Sequence, residues 1–156
     1  MMQREFLSFV LDDEEYGIPI LEVREVREVR GWSPVRILPN APPFVIGLLD
    51  IRGEYIPIVD LKRRLGLVPV EINATTVVVV INAANQQPLG LIVDAVAEVY
   101  ALSEQEIKHA PSISTVIGNQ YVKGIAAVKS KHLVLIDIDA LFDVEALRLS
   151  TTAESI

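Results

Sequence analysis

Apolar residues in this chain fall in short runs that carry either the two-residue alternation of a half-buried strand or the unbroken apolar stretch of a buried one. "FLSFVL" (6–11) and "EYGIPI" (15–20) flank the acidic turn "DDEE", and "VVVVIN" (77–82) and "PLGLIVD" (88–94) flank the polar "AANQQ". Each pair predicts a β-hairpin. "FVIGLLDIRGEYIPIVDL" (44–61) and "YVKGIAAVKSKHLVLIDI" (121–138) predict two more, and they align without a gap at an offset of 77. Phe44 then matches Tyr121, Gly47 matches Gly124, Arg52 matches Lys129 and Asp60 matches Asp137, with aliphatics coinciding between them. The earlier hairpins correspond as well, Gly17 standing opposite Gly90 at an offset of 73. The chain reads as two diverged copies of a unit of about 75 residues.

Two hairpins and a connecting strand in each copy are too many short strands for one open sheet of modest width, and predict two small barrels that share a core. Helix is the minority. "DLKRRLGL" (60–67) predicts a short helix that ends at Gly66, and "SEQEIKHA" (103–110) has Ser103 as N-cap with Glu106 three residues on, a capping box. "DIDALFDVEALRLS" (137–150) is amphipathic and can close the domain.

"EVREVREVRG" (22–31) breaks the strand rhythm. Its valines would alternate between the faces of a regular strand, whereas in an α-helix Ile20, Val23, Val26 and Val29 form one slanting apolar stripe. Three β-branched residues and a closing glycine favour extended chain before "RGW", so the pattern predicts a helical turn first and a strand second. The charge repeat alone is also satisfied by a solvated amphipathic segment, and assigns no function.

With 156 residues and 51% hydrophobic content, the chain has enough length and apolar mass for one domain, expected over 1–150, with a flexible tail over 151–156. A formal charge of −7 argues against a nucleic-acid surface and against binding to a membrane surface, because both need clustered Lys and Arg. The absence of cysteine excludes disulfides, thiolate metal sites and Cys nucleophiles, and suits a reducing compartment. "MMQREFLSFVLDDEE" lacks the pattern of a signal peptide, and "LGLIVDAVAEVYAL" is interrupted by Asp94 and Glu98 before it could span a bilayer. A cytoplasmic location follows as the expectation.

No catalytic constellation emerges. His109 and His132 stand in no metal-ligand spacing, and "GNQYVKG" lacks the spacing of a phosphate loop. Asp50 with Asp60 and Asp137 with Asp139 could be acid and base pairs, but their places at strand ends favour turn roles. No Ser or Thr has a His partner in a hydrolase motif. The expectation is therefore no catalytic residue, no metal and no cofactor. What remains is surface suited to contact. "PNAPPFVIG" (39–47) carries three prolines that stiffen the loop, Arg52 sits at a hairpin tip beside Gly53, and Pro57 predicts an edge strand or a bulge.

Taken in order, "FLSFVLDDEEYGIPI", "EVRGW", "PNAPPFVIGLLDIRGEYIPIVDL", "TVVVVIN", "GLIVDAVAEV", "YVKGI" and "LVLIDIDALF" resemble the CheW-type adaptors of bacterial chemotaxis over residues 5–143. The resemblance implies a mainly β fold of two intertwined five-stranded SH3-like β-barrel subdomains with a few short helices. It also implies no catalysis and no cofactor. Such adaptors link the cytoplasmic tips of methyl-accepting receptors to the regulatory domain of a CheA-type histidine kinase, itself similar to the adaptor, at arrays on the inner face of the membrane. On that analogy Arg52 contacts the receptor, with Val78 and Val99 lining the groove between barrels, while Val26 and Glu28 lie on the kinase-facing barrel edge. Direct membrane insertion and nucleic-acid binding are not implied.

Two departures stand out. Ile46 occupies a place where related sequences often carry a basic residue, and the segment before "PNAPP" is about three residues longer than the commonest pattern. The surplus is one "VRE" triplet, expected in the helical turn because an odd insertion inside a strand would turn later side chains to the other face. A chemosensory system controlling pili or another output would use a similar adaptor. From another class, a duplicated barrel with a cleft could bind a small ligand, although the missing His and carboxylate constellation counts against a reaction there.

Overall fold

The computed structural model describes residues 2–29, 42–109 and 119–142. All four hairpins form. The first joins β1 (Gln3–Leu11) to β2 (Glu14–Pro19), the second β4 (Val45–Ile51) to β5 (Glu54–Asp60), the third β6 (Val77–Asn82) to β7 (Pro88–Val93), and the fourth β10 (Val122–Val128) to β11 (Lys131–Ile136). Three of them close with two-residue turns in which both residues have positive φ: Asp12 and Asp13 at 50° and 69°, Arg52 and Gly53 at 52° and 85°, Lys129 and Ser130 at 45° and 66°. Such turns carry a twist that matches the right-handed twist of the strands they join. The remaining strands are β3 (Val23–Glu28), β8 (Ala95–Ser103) and the two-residue β9 (Ile107–Lys108), and the helices are the single turns α1 (Leu61–Arg64) and α2 (Ile138–Leu141).

The strands form two sheets, a six-stranded one in the order β8-β1-β2-β11-β10-β9 and a five-stranded one in the order β3-β6-β7-β5-β4. The copies have exchanged hairpins: β1 and β2 of the first copy join β8 to β11 of the second, and β6 and β7 of the second join β3, β4 and β5 of the first. The seam in each sheet is a parallel pairing, Ile58 opposite Gly90 and Leu135 opposite Gly17. Glycine is needed there because side chains of the facing strands fill the space. A Cβ on Gly90 would stand 2.4 Å from Ile58 Cδ1 and 3.0 Å from Val78 Cγ1.

One face of each sheet curls around its own apolar cluster. Phe6, Tyr100, Leu102, Ile107, Leu133 and Leu135 fill the six-stranded barrel, while Ile51, Ile56, Ile58, Val78, Val80 and Ile92 fill the five-stranded one. The opposite faces meet in a third cluster that includes Phe9, Ile18, Val79, Leu91 and Ile136, which is the predicted shared core. The offset of 77 is exact in the backbone. A bulge at Val45/Gly47 recurs at Val122/Gly124, Asp60 caps α1 as Asp137 caps α2, and the Asp60 amide bonds the Phe44 carbonyl as the Asp137 amide bonds that of Tyr121.

"EVREVREVRG" follows the expected order but not the expected boundary. A single 3₁₀ turn covers only Ile20–Glu22, and Val23, Arg24 and Glu25 already belong to β3. The three-residue spacing is absorbed by a β-bulge at Arg24: Val23 pairs with Ile81, Glu25 with Val80, and Val26 with Val79. Since Ile81 and Val79 both face the shared core, the extra residue returns Val23 and Val26 to the same face. Edge strand β8 carries a bulge at the same place, between Val96 and Val99. Val23, Glu25, Val26 and Val29 thus match Val96, Glu98, Val99 and Leu102 at the offset of Gly17 and Gly90. Both Val-Arg-Glu triplets, residues 23–25 and 26–28, lie in β3, so neither is held in the helical turn.

Two smaller expectations also change. β5 is an interior strand, so Pro57 does not mark an edge. The two-residue hairpin register puts Pro57 opposite Leu48 at a position without ladder hydrogen bonds to β4, and pairing with β7 begins only at Ile58, so no amide is missed. The capping box at Ser103 and Glu106 is present, but it opens a three-residue 3₁₀ turn and then β9. Residues 39–41 of the proline loop, the remainder of the segment 137–150 and the tail 151–156 lie outside the described residues.

Candidate functional site

The surface feature that the fold repeats is an edge strand clasped by a hairpin tip. In the five-stranded barrel Arg52 Nη2 donates to Glu25 Oε2 on β3 at 3.0 Å. In the six-stranded barrel Lys129 Nζ lies 2.7 Å from Glu98 Oε1 on β8. Both cations stand on turn residues with positive φ, and the Gly53 amide donates to Asp50 Oδ1 at 2.8 Å to fix the first turn. The Arg52 side chain is 73% exposed, so its ion pair is screened and contributes at most about 1 kcal/mol to folding. Among the described residues only Nη2 of its guanidinium is engaged, which leaves Nε and Nη1 to meet a carboxylate or carbonyl presented from outside.

Strand alternation then separates the two faces of β3. Glu25 pairs with Val80 on the barrel-interior side, whereas Val26 and Glu28 pair with Val79 and Val77 on the side of the shared core. Val26 is 43% exposed, and its counterpart Val99 on β8 is 46% exposed. Glu28 lies at the rim of a depression of about 380 Å³ lined by Val29, Ile72, Asn73, Ala74 and Thr76. Arg24 locks the bulge from the neighbouring elements, its Nη2 and Nε donating to Asn82 Oδ1 at 2.7 and 3.0 Å and its Nη1 to Glu54 Oε1 at 2.8 Å.

Of the five residues expected to contact partners, Arg52, Val26, Glu28 and Val99 are exposed and Val78 is not. Val78 is 1% exposed and packs inside the five-stranded barrel against Ile58 and Ile92, so it does not line a groove between barrels. The run "VVVVI" has no polar alternation to show which valine faces which side. Ile46 packs partly buried against the same cluster and presents no charge. Glu25 is the residue that sequence reasoning missed. Its signal was the alignment of Arg52 with Lys129, since two cations at matched hairpin tips point to matched acids on the strands they meet.

The candidate acids of an enzyme are engaged in structure. Asp60 Oδ1 accepts from the amides of Lys62 and Arg63 and its Oδ2 from that of Val70, Asp137 Oδ1 accepts from the Ala140 amide, and Asp139 Oδ1 from that of Ala84. His109 Nδ1 meets the Lys123 carbonyl at 2.9 Å. Among the described residues no group of three or more His, Cys, Asp or Glu could hold a metal ion. Beside Asp60, two further buried charges hold the frame. Lys62, although burial pushes its ammonium down, is held above its ordinary value by Asp12 and Asp94, at 2.6 and 3.3 Å. Glu15 is pushed up by burial, but Lys131, Ser8 and Tyr100 outweigh that and hold its carboxyl below the ordinary 4.5.

Exchanged barrels with filled interiors and matched, clasped edge strands define a protein whose distinctive features lie on its surface. A family model described as the CheW-like domain matches residues 5–146. The chemotaxis protein CheW of Klebsiella aerogenes is 36% identical over 146 residues, covering 94% of this chain and 86% of its own length. The probable chemotaxis protein CheW of Rhizobium etli is 34% identical over 139 residues, covering 89% of this chain and 87% of its own. A crystal structure of the scaffolding protein TtCheW from Thermoanaerobacter tengcongensis has a TM-score of 0.80 at 34% identity, over 92% of this chain and 90% of that one. The chain belongs to the CheW-like family.

Proposed function

We propose that this chain is a noncatalytic chemotaxis adaptor that couples the cytoplasmic tips of methyl-accepting receptors to the regulatory domain of a CheA-type histidine kinase, at arrays on the cytoplasmic face of the membrane. The observation that carries this reading, beside membership of the family, is the opposition of two exposed surfaces. The tip residue Arg52 is clasped to one face of β3, while Val26 and Glu28 occupy the other. On this reading Arg52 and, in the second barrel, Val99 meet the receptor helices, and Val26 and Glu28 meet the kinase. Val78 contributes through packing alone. The apolar side chains that fill both barrels leave a small-ligand reading without support from the interiors. No helix among the described residues is long and apolar enough to cross a membrane, and partners at the membrane would be reached through the receptors.

The test is a pair of substitutions measured against both partners. Arg52→Ala is expected to weaken receptor binding with a stability loss of no more than about 1 kcal/mol, because an exposed pair is all that is removed. Glu28→Lys reverses a charge on the opposite face and is expected to weaken kinase binding while receptor binding stays near that of the parent protein. Equal loss of both partners in either folded variant would overturn the two-surface reading.

A further inference from the structure

The six-stranded barrel conceals a polar network that, among the described residues, its partner barrel lacks. Ser8 and Glu15 are buried on the inner face, beside the cluster of Phe6, Tyr100 and Leu133. Ser8 Oγ donates to Glu15 Oε1 at 2.8 Å, the Tyr100 hydroxyl donates to the same oxygen at 3.2 Å, and Lys131 Nζ meets Oε2 at 2.7 Å from the barrel mouth. The bulge opposite Ser8 leaves the Glu98 amide outside the β1 ladder, and that amide donates to Ser8 Oγ at 3.2 Å. Both chain neighbours of Val99 are therefore tied to one buried carboxylate, Glu98 through Ser8 and Tyr100 directly. Val99 itself points the other way, into solvent.

The five-stranded barrel shows that the architecture does not need this network. Ser8 and Val80 each pair with the seam glycine of their barrel, Gly17 and Gly90. The counterparts of Ser8, Glu15 and Tyr100 are therefore Val80, Pro88 and Arg27, and Val80 packs with Ile51, Ile56, Val78 and Ile92. A buried carboxylate is costly unless every lone pair finds a donor, so an addition of this kind points to a gain in local geometry rather than in stability. A connected set of hydrogen bonds in a low-dielectric interior also stiffens what it holds.

We propose that Glu15, through Ser8 and Tyr100, is a positioning residue that fixes β8 across its bulge and so sets Val99 for contact with the receptor. The proposal rests on the reading that Val99 meets the receptor. Tyr100→Phe is the sharpest perturbation, because it removes one hydroxyl and leaves the ring in the core. The parent protein, Tyr100→Phe, Glu15→Gln, Val99→Ala and the double variant Tyr100→Phe/Val99→Ala are each titrated with two probes: a purified cytoplasmic fragment of a methyl-accepting receptor, and the regulatory domain of the kinase, both from the same genome. Tyr100→Phe and Glu15→Gln are expected to weaken receptor binding about three- to tenfold and to leave kinase binding unchanged. In the Val99→Ala background Tyr100→Phe should add nothing, since a residue that acts through Val99 has nothing left to position. Equal weakening of kinase binding, or persistence of the Tyr100→Phe effect without the Val99 side chain, overturns the proposal. If Val99→Ala weakens receptor binding and Tyr100→Phe does not, the positioning role alone falls. If Val99→Ala has no effect while Arg52→Ala does, the contact at Val99 falls and the positioning role with it.

Discussion

Removing one Val-Arg-Glu triplet from "EVREVREVRG" gives the same shortened sequence whichever copy is taken out, and the structure says what the loss should cost. The surviving Val-Arg-Glu refills positions 23–25, so the bulge, the bonds of Arg24 to Asn82 and Glu54, and the clasp of Glu25 to Arg52 are all rebuilt. The change falls at positions 28 and 29, where Glu28 gives way to Gly31 and Val29 to the residue after it. Val29 is 4% exposed and packs with Ile51, Ile56 and Val80, and in the shortened chain its place passes to Trp32. If the indole stays out, losing the buried valine costs about 1.5 to 3 kcal/mol, and if it is forced in, the overpacked valine site costs about 1 to 3 kcal/mol. At about 2 to 4 °C per kcal/mol for a domain of this size, the melting temperature should fall by about 2 to 12 °C. Thermal denaturation followed by circular dichroism reads the shift, and receptor binding should survive it. An unchanged melting temperature would show that Val29 does not matter to the barrel. Loss of receptor binding as large as that of Arg52→Ala would show that the clasp is not rebuilt.

Two further outcomes follow from the packing and the charges. Gly90→Ala places a methyl group 2.4 Å from Ile58 Cδ1 at the seam of the exchanged hairpin, and should destabilise the protein by about 1 to 3 kcal/mol in urea unfolding. The Glu15 carboxyl is held below its ordinary 4.5, so its contribution to stability is full above that pH and is lost as pH falls through the lower folded-state value. Glu15→Gln should therefore flatten the acid limb of the stability profile, and an unaltered acid limb would remove Glu15 from the account. Tyr100, pushed up to about 12 by burial and by the Glu15 charge, stays neutral throughout that range and keeps its proton for the hydrogen bond.

Features set by local chemistry were legible in the sequence. The ungapped match of 44–61 with 121–138 predicted two hairpins and their turns, because turn residues act within a few residues of themselves, whereas Asp60 and Asp137 were read as turn residues and prove to be helix N-caps. The exchange of hairpins between copies was not legible from periodicity, since β1 and β2 would bury the same faces in either barrel. It came only through the family resemblance. β3 was misread at its boundary because an apolar residue every third position imitates a helix, and a bulge that restores the face leaves no mark in composition. Arg52 was legible as a tip residue, while Glu25 was hidden inside a charge repeat. Val78 was misplaced because four consecutive valines carry no alternation, and only the pairing of β6 with β3 and β7 decides which of them face inward.

The coupling itself is tested most directly by asking whether both partners can occupy the chain at once. A receptor cytoplasmic fragment fixed to a support is incubated with the kinase regulatory domain, with and without saturating amounts of this protein. Opposed surfaces on β3 predict that the kinase domain is retained only when the protein is present, and that retention is lost with either Arg52→Ala or Glu28→Lys. Displacement of the protein from the receptor by the kinase domain would mean that the two partners compete for one surface, and would contradict the account.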